Sequence, residues 1–369
     1  MKDPILLNRL WHEVKAGRVA ASQSGPLTIF KYTQKTHIRD LWNAVNRQAR
    51  GIIFQTDGTV IARPFEKFFN LNERPETHVD NLPWKEGVEI YEKVDGSCGI
   101  GYLKGVQSPL DPTGILWNKW HLATPGSMES DQAIEGTRML NAGDYKLEHL
   151  PLDSTPVFEI IYPENRIVVD YDGKRELVLL AIFEHNGIEW HPCRVDQIAS
   201  MCGFRRPQRY NIDLRSEIPF EENSEGYVAR FENGLRVKVK SPAYLRVHRL
   251  LNYLSPKGVI ELMRGKEYGV TLRQLPKAIA ADFDDVRAYV QGIYNGIYTR
   301  AHENLNRLRE EHHALTHRRD LALWIQANVP NAESGFVFAL LDHKDIEDKV
   351  WKLVLEQVRE ERGKVPVGE

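Results

Sequence analysis

Four short stretches hold residue types that can do chemistry together. In "IYEKVDGSCGI" (90–100) Lys93 and Asp95 alternate with Val94 in a strand-like run. In a strand both would point to one face, and Gly96 would let the backbone turn or let a ligand come close. "VFEII" places Glu159 alone among Val157, Phe158, Ile160 and Ile161. A carboxylate there is expensive unless it is paired or alternates out to solvent. "SEGYVARF" puts Glu225 and Gly226 at the start of another strand-like run, and "LRVKVK" sets Arg236, Lys238 and Lys240 on one strand face. Three cations in such a row either guard a sheet edge against aggregation or clamp a polyphosphate. Lys93 is either a solvated strand residue or a nucleophilic amine. The second role requires it to lose a proton, because a free lysine has a pKa of about 10.4.

These residues need a scaffold. "GIIFQTDGTVIARPF", "ELVLLAIFEHNGIEW" and "EGYVARFENGLRVKVK" read as hairpins turning at Asp57-Gly58, Asn186-Gly187 and Asn233-Gly234. "DQAIEGTRMLNA" reads as a helix between strands. After Leu250 the pattern changes. Phe283, Val286, Tyr289, Val290, Ile293, Tyr294 and Ile297 recur at helical spacing, and "DIEDKVWKLVLEQVREERG" is a further amphipathic helix. The expected fold is α+β: an antiparallel-sheet domain over 1–250, then an all-helical C-terminal domain over 251–369, with the helices beginning near Ser255-Pro256.

The chain has 369 residues and a formal net charge of −2, so a nucleic-acid site would have to be a local patch. Cys98, Cys193 and Cys202 are too few and too scattered for a disulfide framework. No secretory leader and no long apolar span is evident, which predicts a soluble cytoplasmic protein. His185, His191, Cys193 and Cys202 match no common zinc spacing, and His313 and His317 lack the carboxylate of a metalloprotease helix.

Taken in order, K-V-D-G (93–96), F-E-I-I (158–161), E-G-Y-V (225–228) and K-V-K (238–240) resemble the motif set of the covalent nucleotidyltransferases. "RGIIFQTDGTVIARPFEKFFNLNE" (50–73), "FEIIYPENRIVVDY" (158–171) and "KVKSPAYL" (238–245) make the likeness closest to the ATP-dependent RNA ligases of the phage T4 RNA ligase 1 type. The resemblance spans about residues 50–249. It implies a nucleotidyltransferase domain in which Lys93 attacks the α-phosphorus of ATP and becomes lysyl-AMP. The AMP then passes to the 5′-phosphate of RNA, and a 3′-hydroxyl displaces it.

The resemblance also implies roles for the other residues. Glu159 would bind the ribose or a metal-bound water, and Glu225 would help hold Mg²⁺, or Mn²⁺ in its place. Lys238 and Lys240 would engage the ATP phosphates. Arg50 and Lys67 would contact phosphates or the adenylated end, and Gly96 would admit the nucleotide. Phe69 would stack on adenine or pack in the core. Tyr244 also matches a family position, as a nucleotide contact or a packed tyrosine. Lys119 would supply the cation after the nucleophile, although Pro125 stands where a basic residue is expected and "GVQSPLDPTGI" is inserted before it. The implied partner is RNA with 5′-phosphate and 3′-hydroxyl ends, such as nicked tRNA. No membrane is implied, and the protein would be a monomer. The rivals are a DNA ligase or capping-type enzyme, which usually carries a β-barrel after the last lysine motif, and a non-catalytic module that binds RNA ends.

Overall fold

Alternating apolar residues build three sheets in the first part of the chain. The computed structural model describes residues 1–107, 116–311 and 317–360. His313 and most of the "GVQSPLDPTGI" insertion lie outside the described residues. The chain divides into two compact units, Met1–Leu245 and Arg246–Glu369.

In the first unit, α1 (Pro4–Lys15) is followed by β1 (Val19–Ser24), β2 (Leu27–Tyr32), α2 (Gln34–Ile38), β3 (Arg50–Gln55) and β4 (Val60–Ala62). The four strands form one antiparallel sheet in chain order. Asp3 starts α1 because its carboxylate accepts the Leu6 N–H at 3.0 Å and Pro4 has no N–H to lose. Leu6 and Leu10 of this helix pack on Phe30, Ile52 and Phe54, which all point to one face of the sheet.

Next come β5 (Phe69–Asn70), β6 (Val88–Glu92), β7 (Ser97–Gln107), β8 (Leu116–Ala123), α3 (Asp131–Leu140), β9 (Ser154–Ile161) and β10 (Glu176–Glu184). They are followed by α4 (Pro192–Cys202), β11 (Arg209–Tyr210), β12 (Gly226–Phe231) and β13 (Arg236–Lys240). Strands β10-β9-β7-β8 make a second antiparallel sheet. One of its faces is covered by α3 and α4, through a core that includes Leu122, Leu140, Phe158, Ile160, Leu179 and Val195. Strands β11-β6-β12-β13-β5 make the third sheet, antiparallel except for the short parallel pairing of β13 with β5.

Two of the three expected hairpins form as full strand pairs, β3–β4 and β12–β13, each turning through a glycine with positive φ (Gly58 +83°, Gly234 +87°). The third does not. After Asn186-Gly187 the returning chain makes one bridge, Phe183 to Glu189, and then enters α4. Pro192 occupies the first helical turn, where its missing N–H costs nothing. Helices α1 and α4 were not expected from the sequence pattern.

Helix α5 (Pro242–Leu251) runs from the first unit into the second. The second unit continues with α6 (Pro256–Arg264), α7 (Tyr268–Leu272), α8 (Lys277–Glu311), α9 (Arg318–Asn328), α10 (Asn331–Leu341) and α11 (Glu347–Glu360). Ser255 caps α6, its hydroxyl accepting the Gly258 N–H at 3.1 Å. Leu305 and Leu308 of α8 share a core with Trp324, Ile325 and Val337 of α9 and α10. Among the described residues, no strand follows Lys240. The architecture is therefore mixed helix and antiparallel sheet, with helices alone after β13.

Gly226 opens β12 with φ +133°, and a Cβ there would lie 2.0 Å from the Val239 carbonyl oxygen. Gly226→Ala should lower unfolding free energy by about 2–4 kcal/mol. Gly234→Ala, whose φ is also positive but which has open space around it, should lower it by about 1 kcal/mol. Urea denaturation of the two variants measures the difference.

Candidate active site

Lys93 does not lie in a strand. β6 ends at Glu92 and β7 begins at Ser97 in a different sheet, so residues 93–96 carry the chain from the third sheet to the second. The expected shared face of Lys93 and Asp95 is therefore absent. The Lys93 N–H still donates to the Gly226 carbonyl at 2.8 Å, which holds the residue beside the start of β12. Its ammonium Nζ lies 2.6 Å from Glu225 Oε2.

Glu225 is buried, at 3% exposure, and its other oxygen takes Lys240 Nζ at 2.7 Å. The strand register explains this geometry. β12 sits between β6 and β13, and Gly226 pairs with Lys240. Residues just beyond the end of β6, at the start of β12 and at the end of β13 therefore meet at one edge of the sheet. One carboxylate bridges two lysines, Lys93 just past the end of β6 and Lys240 at the end of β13.

Glu159 comes from the second sheet, where it is the one partly exposed residue of β9. It pairs with Cys98 of β7, and its Oε1 accepts the Gly96 N–H at 3.2 Å. Burial pushes its carboxyl up to about 7; Lys93 and Arg50 oppose the shift, while Glu225 and Asp95 add to it. Burial also pushes the Lys238 ammonium down to about 7, helped by repulsion from Lys67, Lys93, Lys240 and Arg50. The same cause, burial, lowers Lys67. Arg50 and Lys238 lie over the Phe68 ring at 5.6 and 5.8 Å. The buried Nη1 of Arg50 has no hydrogen-bond partner. This is a dense cluster of cations with two carboxylates, and it suits a polyanion.

Asp95 was read from sequence as a partner of Lys93 on a strand face. It is instead buried behind the lysine. Its Oδ2 accepts the N–H groups of Val168 and Val169, each at 2.9 Å, and Tyr244 Oη donates to its Oδ1 at 2.8 Å. The Asp95 N–H in turn donates to Tyr171 Oη at 2.8 Å. These bonds fix the crossover between the sheets. The sequence signal for them was the "NRIVVDY" stretch, which reaches Asp95 only once the chain has folded back.

Several expected contacts sit elsewhere. Phe69 is buried, at 2% exposure. Arg74, Arg47 and Lys67 lie over its ring at 4.2, 4.9 and 5.0 Å, and Trp42 meets it edge-on at 5.5 Å, so the ring packs among these groups, the second of its two expected roles. Gly96 does not open toward a ligand. A Cβ there would lie 2.6 Å from the Ile160 carbonyl, so the glycine serves close packing of the crossover on β9. Tyr244 is buried, supporting Asp95 and carrying Lys240 Nζ at 4.7 Å over its ring. The unbroken register of β13 keeps Arg236 on the face of Lys238 and Lys240, as expected, but it is engaged there by Glu189 and covers Phe65 at 4.8 Å.

Lys119 is remote. It is exposed and pairs with Lys104, seven residues along β7 from Ser97, or about 23 Å at ~3.3 Å per residue. Both oxygens of Glu225 are engaged by lysines, and among the described residues no group of three or more His, Cys, Asp and Glu side chains could hold a metal ion.

A family model described as RNA ligase, of the T4 RNA ligase 1 type, matches residues 48–244. A Thermovibrio ammonificans protein named as a candidate RNA ligase is 32% identical over 223 residues, covering 57% of this chain and 55% of that protein. An uncharacterized protein of Ostreid herpesvirus 1, ORF64, is 29% identical over 192 residues, 50% of this chain and 44% of its own. An RNA ligase of Rhodothermus phage RM378 is 20% identical over 303 residues, 66% of this chain and 69% of that protein. The chain spans about half the length of the first two.

The raised carboxyl of Glu159 gives a test by pH. The folded state prefers the protonated acid, so its contribution to stability is fully present below the ordinary value of 4.5 and is lost as pH rises through about 7. Glu159→Gln removes this dependence. Relative to wild type, the variant should gain about 2 kcal/mol between pH 5 and pH 8, measured by urea denaturation at both values.

Proposed function

The chain belongs to the RNA ligase family of the T4 RNA ligase 1 type, and we propose that it is an ATP-dependent RNA ligase joining 5′-phosphate to 3′-hydroxyl ends. The observation that carries this reading is the Lys93 amine, held 2.6 Å from Glu225 inside a cluster of cations. A protein that only binds RNA ends has no need of an amine positioned in this way.

In the first step Lys93 Nζ bonds to the α-phosphorus of ATP, the α–β phosphoanhydride bond breaks, and pyrophosphate leaves. Glu225 Oε2 is the nearest group able to take the amine's proton. Forming lysyl-AMP removes the positive charge of Lys93 and so loosens its hold on Glu225. Lys238, Lys240, Arg50 and Lys67 neutralise the phosphate oxygens, which is most of what phosphoryl transfer asks of a protein. The cavity lined by Phe65, Phe68, Leu180 and Val228 together with Glu92, Glu189, Arg206, Arg230 and Arg236 adjoins the cluster through Phe68 and is the proposed place of the adenine base.

ATP is the nucleotide, and a divalent ion, Mg²⁺ or Mn²⁺, lowers the charge of its phosphates. Glu159 fits such an ion best, since magnesium usually rests on one or two carboxylates together with substrate phosphates. Glu225 would join only after a lysine lets go. In the second step the 5′-phosphate of RNA takes AMP and frees Lys93. In the third a 3′-hydroxyl attacks that phosphate and AMP leaves. Nicked tRNA is the proposed natural substrate. Residues 1–250 act as the adenylyltransferase domain and the helices beyond select the RNA. No helix among the described residues is long and apolar enough to cross a membrane. The protein works as a cytoplasmic monomer.

The test is incubation with α-labelled ATP and Mg²⁺. Wild type should form an acid-labile adduct on Lys93, and Lys93→Ala should form none, a loss of at least about 1,000-fold. Wild type that carries no label, or Lys93→Ala that does, refutes the reading. Sealing of 5′-phosphorylated RNA against DNA strands then separates the RNA ligase from a DNA ligase.

A further inference from the structure

Sheet register places one more cation at the site. Along β2, Lys31 alternates with Phe30 and so shares a face with Ile29, which packs toward Ile100 and Ala123 of the second sheet. Opposite it, β3 carries a bulge. Phe30 pairs with Ile52, but Lys31 pairs with Arg50, so Gly51 is the extra residue. Without that bulge, Arg50 would follow Ile52 toward α1. With it, Arg50 turns to the face of Lys31, beside Phe68 and close enough to Glu159 to lower its carboxyl.

The bulge is tightly built. Gly51 has φ +98°, and a Cβ there would lie 2.1 Å from the Ile100 side chain and 3.0 Å from Pro125 Cα. The Thr124–Ser127 turn also makes room for Lys31: a Cβ on Gly126 would lie 2.9 Å from Lys31 Cδ and 3.1 Å from its Nζ. Two like charges opposite each other on neighbouring strands repel. No carboxylate among the described residues forms an ion pair with either, and the buried Arg50 Nη1 has no hydrogen-bond partner. Lys31 itself is exposed.

We propose that Lys31 and Arg50 together bind a phosphate group of the substrate, a second clamp at the rim of the site formed across the β2–β3 bulge. Lys31 thereby supplies a cation beside the Thr124–Ser127 turn, where Lys119 does not reach. The phosphate is either the 5′-phosphate of the RNA strand or the pyrophosphate moiety of the nucleotide. The inference rests on the proposed function for the identity of that anion.

The test is calorimetric titration of the full chain, without ATP, with three probes: a short 5′-phosphorylated RNA, its 5′-hydroxyl counterpart, and inorganic pyrophosphate. Lys31→Ala should weaken one phosphate probe by about tenfold, Lys31→Arg should keep it within about threefold, and the 5′-hydroxyl RNA should be unaffected. Loss confined to the RNA probe assigns the clamp to the RNA end, and loss with pyrophosphate assigns it to the nucleotide. The proposal is overturned if Lys31→Ala binds both anions within twofold of wild type, or if wild type binds neither. Failure of wild type to form the lysine adduct would sink the ligase reading but leave this titration readable.

Discussion

One buried carboxylate holding two ammonium groups organises the site. Glu225 is almost fully shielded from water, and Lys93 and Lys240 each reach it within 2.7 Å. A lone carboxylate at such a position would cost several kcal/mol, so it persists only because both lysines arrive. Their arrival depends on the order β6-β12-β13 in the third sheet and on Gly226 bringing β12 against Val239. Sheet topology, the special backbone of one glycine and the position of the amine form a single constraint.

Around that bridge the charges do not balance. Lys238, Lys67 and Arg50 add positive charge, and the other carboxylates at the crossover are Glu159 and the buried Asp95. Burial and like charge push Lys238 down, and burial pushes Glu159 up, so each is driven toward its neutral form. A phosphate chain would supply the missing negative charge and restore the charged form of the lysine. On the proposed function, this local excess of cations would favour a polyanion without a large net charge on the whole chain.

The sequence showed part of this and hid part, for physical reasons. Short motifs made Lys93, Glu159, Glu225, Lys238 and Lys240 visible, because such residues are rare inside apolar runs. Two hairpins were visible because Asp-Gly and Asn-Gly select the tight turns that join antiparallel strands. The faces of side chains were less visible. Alternation rightly put Arg236 on the face of Lys238 and Lys240, but not its ion pair with Glu189. Alternation put Lys93 with Asp95, but the chain changes sheets between them. Lys119 has the right type and order, yet strand register carries it to the far end of β7. Phe69 is aromatic in the expected place, but cations from three other positions cover it. A bulge such as that at Gly51 reverses the face of one residue and leaves little local trace. The start of helix α4 at Pro192, where a hairpin was expected, reflects packing of its apolar side on the second sheet rather than turn chemistry.

The proposed ligase chemistry requires that the Glu225 bridge hold the Lys93 amine in place for attack. The direct measurement is the single-turnover rate of lysine adenylylation by Glu225→Gln, a near-isosteric variant that loses the charge and turns one of the two acceptor oxygens into an amide donor facing a lysine, at saturating ATP and with native circular dichroism. The account predicts a fall on the order of 100-fold. Adenylylation at the wild-type rate would contradict it.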